Sequence, residues 1–218
     1  MDLGQRYRDF DVALGDIIKR ARTEGHTIPC ERGCDACCYD IAVVSHVEMT
    51  PVMDAIRALS AESRRKIRAR MMEWLARAER AGIDPANPEP DFTTWAKARL
   101  KCPLLQDHEC MIYDARPIAC RGHHIVDETP DRCAKLAEKE GRPLLTEAVE
   151  LAWTAMRDIM EEGVDPATNE LPIAMGLLPT MLLVAWDILE TDDTDAAALI
   201  MRRFKEPGNG RYIGRSAR

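Results

Sequence analysis

The chain has 218 residues, 46% of them hydrophobic and 31% charged, which is the balance of a globular protein with a sizeable core and not that of a disordered one. A formal charge of −7 and a pI near 5.3 argue against a general nucleic-acid binder. The first residues are charged and lack an apolar core to be cleaved off, so no signal peptide is expected and the chain is placed in a reducing cytoplasm.

Residues 3–24 read as an amphipathic helix, with Leu3, Tyr7, Phe10, Leu14, Ile17, Ile18 and Ala21 at three- and four-residue steps and Gly25 as the stop. Pro29 then leads into a cysteine-rich stretch. Ile41–Val44 is short and apolar, and its period does not separate strand from helix. A helix is expected from Pro51 to Leu59, and Ser60 caps another that runs to Ala81 and stops at Gly82. Its apolar stripe is Ile67, Met71, Leu75 and Ala78. Residues 57–80 carry eight Lys/Arg against three Asp/Glu, read either as a solvated face or as a contact surface for an acidic partner or RNA.

Residues 83–90 hold three prolines and read as a linker. Thr93 or Thr94 would cap a short helix to Leu100. Residues 102–120 read as turns around Pro103 and Pro117, with at most a short helix. Further helices are expected near 131–140, 145–162, 172–190 and 193–204. Leu171–Trp186 is an uncharged run of 16 residues, too short and too interrupted by Pro and Gly to span a bilayer, so a buried core helix is expected. The fold class is mainly α, one helical domain over 1–205 with irregular cysteine-rich metal-binding loops between helices. The cysteine cluster occupies 28–122, a helical extension 123–205, and a flexible Gly-rich tail 206–218.

The chemistry sits in the cysteines. Cys30, Cys34, Cys37 and Cys38 fall within nine residues, and Cys102, Cys110 and Cys120 follow after a gap of 63 residues. Eight cysteines could form disulfides, but the reducing compartment favours metal. Thiolate is a soft ligand suited to zinc, iron or an iron–sulfur cluster. Short spacings let the backbone turn around an ion, whereas the widely spaced second group must be carried in by the fold, coupling metal binding to folding. Cys37 and Cys38 are neighbours whose side chains are expected to diverge, so they would not serve one ion together. Seven thiols also exceed one tetrahedral shell, which leaves two metals, a cluster or reactive thiols as alternatives. Arg116 and Arg121 could donate to loop carbonyls or partly compensate thiolates, or could be plain surface cations.

Cys30-x₃-Cys34-x₂-Cys37-Cys38, Cys102-Pro-Leu-Leu, Cys110-x-Ile-Tyr113 and Arg116-Pro117-x-x-Cys120-Arg121 together resemble the YkgJ-type cysteine-cluster family, a zinc- or iron-chelating domain. The resemblance covers about residues 28–122 and implies Cys30, Cys34, Cys37, Cys38, Cys102, Cys110 and Cys120 as ligands. The first two cysteines stand one residue further apart than in the commoner CxxCxxCC form. Cys133 lies outside the pattern and reads as an ordinary thiol. His123 and His124 could complete a coordination sphere or meet a substrate, or be polar surface; His108 has a similar claim, and His26 and His46 weaker ones.

The leading expectation is a metal-binding protein whose thiolates come from two loop segments. One alternative is an iron or iron–sulfur enzyme, an oxidoreductase or a methylating enzyme. The first three cysteines share the spacing of radical S-adenosylmethionine enzymes, and some flagellin lysine methylases look similar there. The chain lacks the strand–helix alternation and Gly-rich loop of such enzymes, and Ala36 stands where an aromatic is common. The other alternative is a structural-zinc adaptor using the basic 57–80 helix. No Ser/His/Asp set or phosphate-binding loop supports a hydrolase or nucleotide binder.

Overall fold

The computed structural model describes residues 2–40, 42–84, 92–130, 133, 143–162, 174–186, 189 and 214–215. The fold is mainly α. The helices expected near 131–140 and 193–204, and most of the linker and tail, lie outside the described residues.

Helix α1, Leu3–Thr23, is opened by Asp2, whose carboxylate accepts from the Gln5 amide at 3.0 Å. Gly25, with φ +97°, closes it by letting the His26 amide reach back to the Ala21 carbonyl at 3.0 Å. Its buried face is Tyr7, Phe10, Leu14 and Ala21, four of the seven positions predicted from spacing. That face packs on α6, Thr146–Glu162, through Ala148, Ala152, Met156 and Ile159.

Helix α2, Met49–Arg57, starts two residues before Pro51. Helix α3, Ala61–Arg80, begins as predicted after Ser60, which accepts from the Ser63 amide at 3.1 Å, and ends before Gly82 at φ +72°. Its buried stripe is Ile67, Met71, Trp74 and Ala78; Trp74 takes the place expected of Leu75 because the step from 71 to the core is three residues, not four. Trp74 meets Trp95 of α4, Phe92–Ala98, with centroids 5.4 Å apart and planes tilted by 52°. Helix α4 begins at Phe92, so Thr93 and Thr94 lie inside it and do not cap it.

Several cations of the basic 57–80 segment are held within the fold. Arg57 pairs with Asp54 at 3.0 Å, and Arg64 donates to the carbonyls of Arg57 and Leu59, closing the turn between α2 and α3. Arg70 reaches the Leu105 carbonyl at 2.8 Å, tying α3 to the second cysteine segment.

The 172–190 expectation needs correction. Ala174–Leu177 is a strand, β4, and among the described residues of that stretch the α-helix is Leu178–Ala185, α7. β4 pairs antiparallel with β1, Val43–Ser45, in the register Val43↔Leu177, Val44↔Gly176, Ser45↔Met175. On its other side it pairs with β5, Gly214–Arg215. An unbroken apolar run carries no period, so β1 decided its first half by offering unpaired backbone, and the ladder continues as the Leu178 amide donates to Ala42. Pro179 sits in the first turn of α7, where a missing amide costs nothing. Helix α7 is buried among α2 and α3, its Leu178, Met181, Leu182 and Ala185 packing with Met49, Val52, Ile56, Ile67 and Met71. No helix among the described residues is long and apolar enough to cross a membrane.

The cores meet at Glu48. It is 1% exposed, and its carboxylate accepts from the amides of Ile118 (2.8 Å) and Ser45 (3.1 Å) and from the Ser45 hydroxyl (3.0 Å). Burial raises its pKa and these donors oppose the rise. It thereby pins the short helix carrying Cys120 to the start of α2.

Candidate metal centre

The first segment, Cys30–Cys38, is a pair of tight turns. Gly33 adopts φ +95°, and the Cys34 amide donates to Glu31 at 3.1 Å. A 3-10 turn over Ala36–Tyr39 follows, with the Cys38 amide on Asp35 (2.9 Å) and the Asp40 amide on Cys37 (3.0 Å). This turn overrides the expectation that Cys37 and Cys38 diverge. The Cys37 sulfur lies near enough to Cys38 to raise its pKa, and both residues line the same cavity.

The second segment is a hairpin, a turn and a short helix. β2, Leu105–Gln106, pairs with β3, Glu109–Cys110, across Asp107 and His108, whose φ values of +49° and +66° make the two-residue connection that suits strand twist. After a 3-10 turn over Tyr113–Ala115, Pro117 leads into α5, Ile118–Arg121, which carries Cys120. Gly122 follows because α5 runs hard against α6: a Cβ there would lie 2.4 Å from the Ala152 Cβ.

The two segments are joined directly. The Cys102 amide donates to the Cys38 carbonyl at 2.7 Å, and His108 Nδ1 lies 2.9 Å from Asp35 Oδ2. Six of the seven cysteines implied by the resemblance, Cys34, Cys37, Cys38, Cys102, Cys110 and Cys120, wall one cavity, together with His108 and His123. Trp74, Trp95, Leu100, Leu104 and Leu178 supply the apolar part of its lining. Cys30 is not part of that wall. It faces an adjoining chamber with Cys34, Cys37, Cys120, His123, His124 and Cys133. His26 pairs with Asp127 at 2.7 Å, and neither it nor the buried His46 borders either chamber.

None of the eight cysteines is in a disulfide. Burial and neighbouring thiols raise the pKa of Cys38, Cys110 and Cys120, and push that of Cys102 to about 12. For Cys38 the hydrogen bond with Cys37 is the largest cause. Two backbone amides oppose this by donating to sulfur, Leu104 to Cys102 and Ile112 to Cys110, each two residues beyond its cysteine, and such donors favour the thiolate form. The Ile125 amide, brought in by the fold, donates to the Cys30 sulfur at 3.3 Å. Burial lowers the pKa of His123, and burial with Arg116 and His123 brings His124 down to about 4, so both rings are neutral near pH 7, the form that coordinates.

The two arginines differ in role. Arg121 is 5% exposed and donates to the carbonyls of Arg116 (2.7 Å) and Asp114 and to Asp11 Oδ2 (2.6 Å), with its guanidinium over the Tyr7 ring. It is a clamp that holds the second segment on α1. Arg116 lies over Tyr113 at 3.6 Å, and its charge acts on Cys110 and Cys120. Arg32 covers the same ring at 4.1 Å and pairs with Asp114 at 2.9 Å, a further link between segments that spacing does not announce.

Among the described residues no three cysteine, histidine or carboxylate side chains already converge as a closed coordination shell. The donors line chambers. Their chemistry nonetheless fits a thiophilic cation: clustered sulfurs, amides aimed at three of them, neutral imidazoles, and too few cations to neutralise several thiolates.

No curated protein and no solved structure matches the chain. The sequence model of one protein family, CxxCxxCC, described as a "putative zinc- or iron-chelating domain", matches residues 29–139, which takes in all eight cysteines and the whole of both segments. The chain belongs to the CxxCxxCC family.

Proposed function

We propose that the protein binds zinc or iron through thiolates drawn from both segments, with Cys34, Cys37, Cys38, Cys102, Cys110 and Cys120 as the principal donors and Cys30 beside them. The observation that carries this reading is the gathering of those six cysteines on one cavity wall from positions up to 86 residues apart. Apolar packing alone does not require that. Holding these sulfurs as thiolates, which burial and the neighbouring thiols oppose, requires a cation to take the charge. A bound ion would supply charge neutralisation and a cross-link between segments. The residues themselves would aim the sulfurs through the amides of Leu104, Ile112 and Ile125, and Arg116 would offset residual negative charge.

The test is anaerobic purification with elemental analysis, acid-labile sulfide determination and a visible spectrum. Zinc without colour, mononuclear iron and an iron–sulfur cluster are distinguished by that set. Cys34→Ser and Cys110→Ser are expected each to lower metal content; unchanged content in both would sink the two-segment site.

A second reading, an iron or iron–sulfur enzyme, is favoured by one feature. Trp74, Trp95 and three leucines share the cavity lining with the thiols, and the Trp95 indole N–H is buried without an acceptor. A cavity lined by thiols and apolar side chains with few donors suits a small, largely apolar ligand with a single acceptor. Binding of such compounds, seen as a change in tryptophan fluorescence and lost in Trp95→Leu, would support it.

A further inference from the structure

The thiols divide into two groups that meet at a common wall. Of these two chambers, Cys38, Cys102 and Cys110 border the first and not the second, whereas Cys30, His124 and Cys133 border the second and not the first. Cys34, Cys37, Cys120 and His123 face both. The electrostatics follow the same division. The thiol neighbours acting on Cys120 are Cys102, Cys37 and Cys110, and those acting on Cys133 are Cys30, Cys37 and Cys34.

Cys133 is 3% exposed and packs with Ala36 and Ile125, and Cys30 and Cys34 pack against the same cluster. Its amide donates to Thr129 at 2.8 Å, which fixes the backbone that presents it. His124 Nδ1 is buried and has no hydrogen-bond partner. An imidazole nitrogen buried in that way is costly unless something on the chamber side accepts or binds it. Leu145 and Ile125 hold the His124 strip in place: the Leu145 amide donates to the His124 carbonyl at 2.8 Å, and Ile125 bridges to Leu144.

We propose that the adjoining chamber is a second metal site, with Cys30, Cys34 and Cys133 as thiolate donors and His124 as the nitrogen donor. Three thiolates and one imidazole are a complete tetrahedral set for zinc and an acceptable one for iron. With Cys30 and Cys34 assigned to this second ion, Cys37, Cys38, Cys102, Cys110 and Cys120 still suffice for the first. The surplus of thiols over tetrahedral shells is thereby reduced to a single sulfur, and Cys133 becomes a ligand where spacing marked it as an ordinary thiol. This inference rests on the thiolate metal site proposed above.

The experiment is anaerobic titration of the metal-free full chain with zinc and, in parallel, cobalt, reading bound metal per chain and the thiolate-to-cobalt absorption. The wild type is expected to hold two ions. Cys133→Ser and His124→Ala are each expected to fall to one, with the cobalt spectrum of the remaining site retained, while the double variant Cys102→Ser/Cys110→Ser loses the other ion. Far-ultraviolet circular dichroism verifies that each variant is folded, and His124→Asn serves if Cys133→Ser is not. A wild type that saturates at one ion overturns the second site and leaves the first reading standing. Two ions retained in folded Cys133→Ser and His124→Asn overturn the assigned donors. No bound metal in the wild type overturns the thiolate reading as a whole.

Discussion

The amide of Cys102 donates to the carbonyl of Cys38 across 2.7 Å, joining the two cysteine segments through backbone at the point where their thiols meet. The last cysteine of the first segment and the first of the second are thus held together without either side chain. This leaves both sulfurs available to the cavity, and it makes the bond a reporter of whether the segments stay closed.

Removing metal with a chelator is therefore expected to speed amide hydrogen exchange at Cys102 and Leu104 by tenfold or more, an effect of about 1.4 kcal/mol or greater on local opening. Amides in the middle of α1 and α6, which pack on each other through Phe10, Leu14 and Ala152, are expected to change little. Exchange measured by mass spectrometry on loaded and stripped protein checks this. Uniform loss of protection across all helices would mean that the metal holds the whole fold and not the two segments.

The raised thiols give the metal-free chain a pH dependence with a definite sign. Cys102 and Cys133 titrate near 12 in the fold against 9.0 for the ordinary thiol, so the folded state holds their protons longer than the unfolded chain does. Their contribution to stability is complete below pH 9 and is lost as pH rises from 9 towards 12. The urea midpoint of stripped protein is expected to fall between pH 8.5 and 10.5 by more than that of stripped Cys102→Ser. Loading should behave in the opposite sense. Ligation requires deprotonated sulfur, so zinc affinity falls as pH drops from 8 to 6 and each bound thiol releases a proton. Calorimetry in buffers of different ionisation enthalpy counts those protons.

Gly122→Ala tests how tightly α5 is pressed on α6. Alanine is the better helix former, and Gly122 has an ordinary negative φ of −78°, so propensity alone predicts a small gain. The added Cβ would instead meet the Ala152 Cβ at 2.4 Å and the Ala148 carbonyl at 3.0 Å, and backbone must move. A loss of about 1–3 kcal/mol is expected in denaturant unfolding. Because Cys120 is two residues away, metal occupancy is expected to fall as well. A more stable variant would show that the approach relaxes freely.

Arg121→Lys keeps the charge and removes the fork that reaches the carbonyls of Asp114 and Arg116 and the carboxylate of Asp11 together. Metal affinity is expected to weaken about tenfold, as is usual when groups that orient ligands are lost, with helical content unchanged. Competition with a chromophoric chelator measures it. Arg116→Lys is expected to weaken binding less, since its guanidinium acts on Cys110 and Cys120 mainly through charge, which lysine retains.

The sequence by itself determined the helical character, the limits of α1 and α3, and the family, because each depends on local chemistry. Capping by Ser60, the positive φ of Gly25 and Gly82, and the apolar period of Tyr7, Phe10 and Leu14 are decided within a few residues. The spacing of Cys30–Cys38 and the Arg-Pro-x-x-Cys-Arg run are equally local and carried the resemblance to the family. Only tertiary structure decided the rest. Ala174–Leu177 became a strand because β1 offered an open edge, which an aperiodic apolar run could not foresee. The 3-10 turn at Ala36–Tyr39 brought the thiols of Cys37 and Cys38 together, where neighbours in extended backbone would have parted. Cys133 joined Cys30 and Cys34 through folding across about a hundred intervening residues. Spacing reports which donors a chain owns, and only long-range packing reports which of them share a chamber.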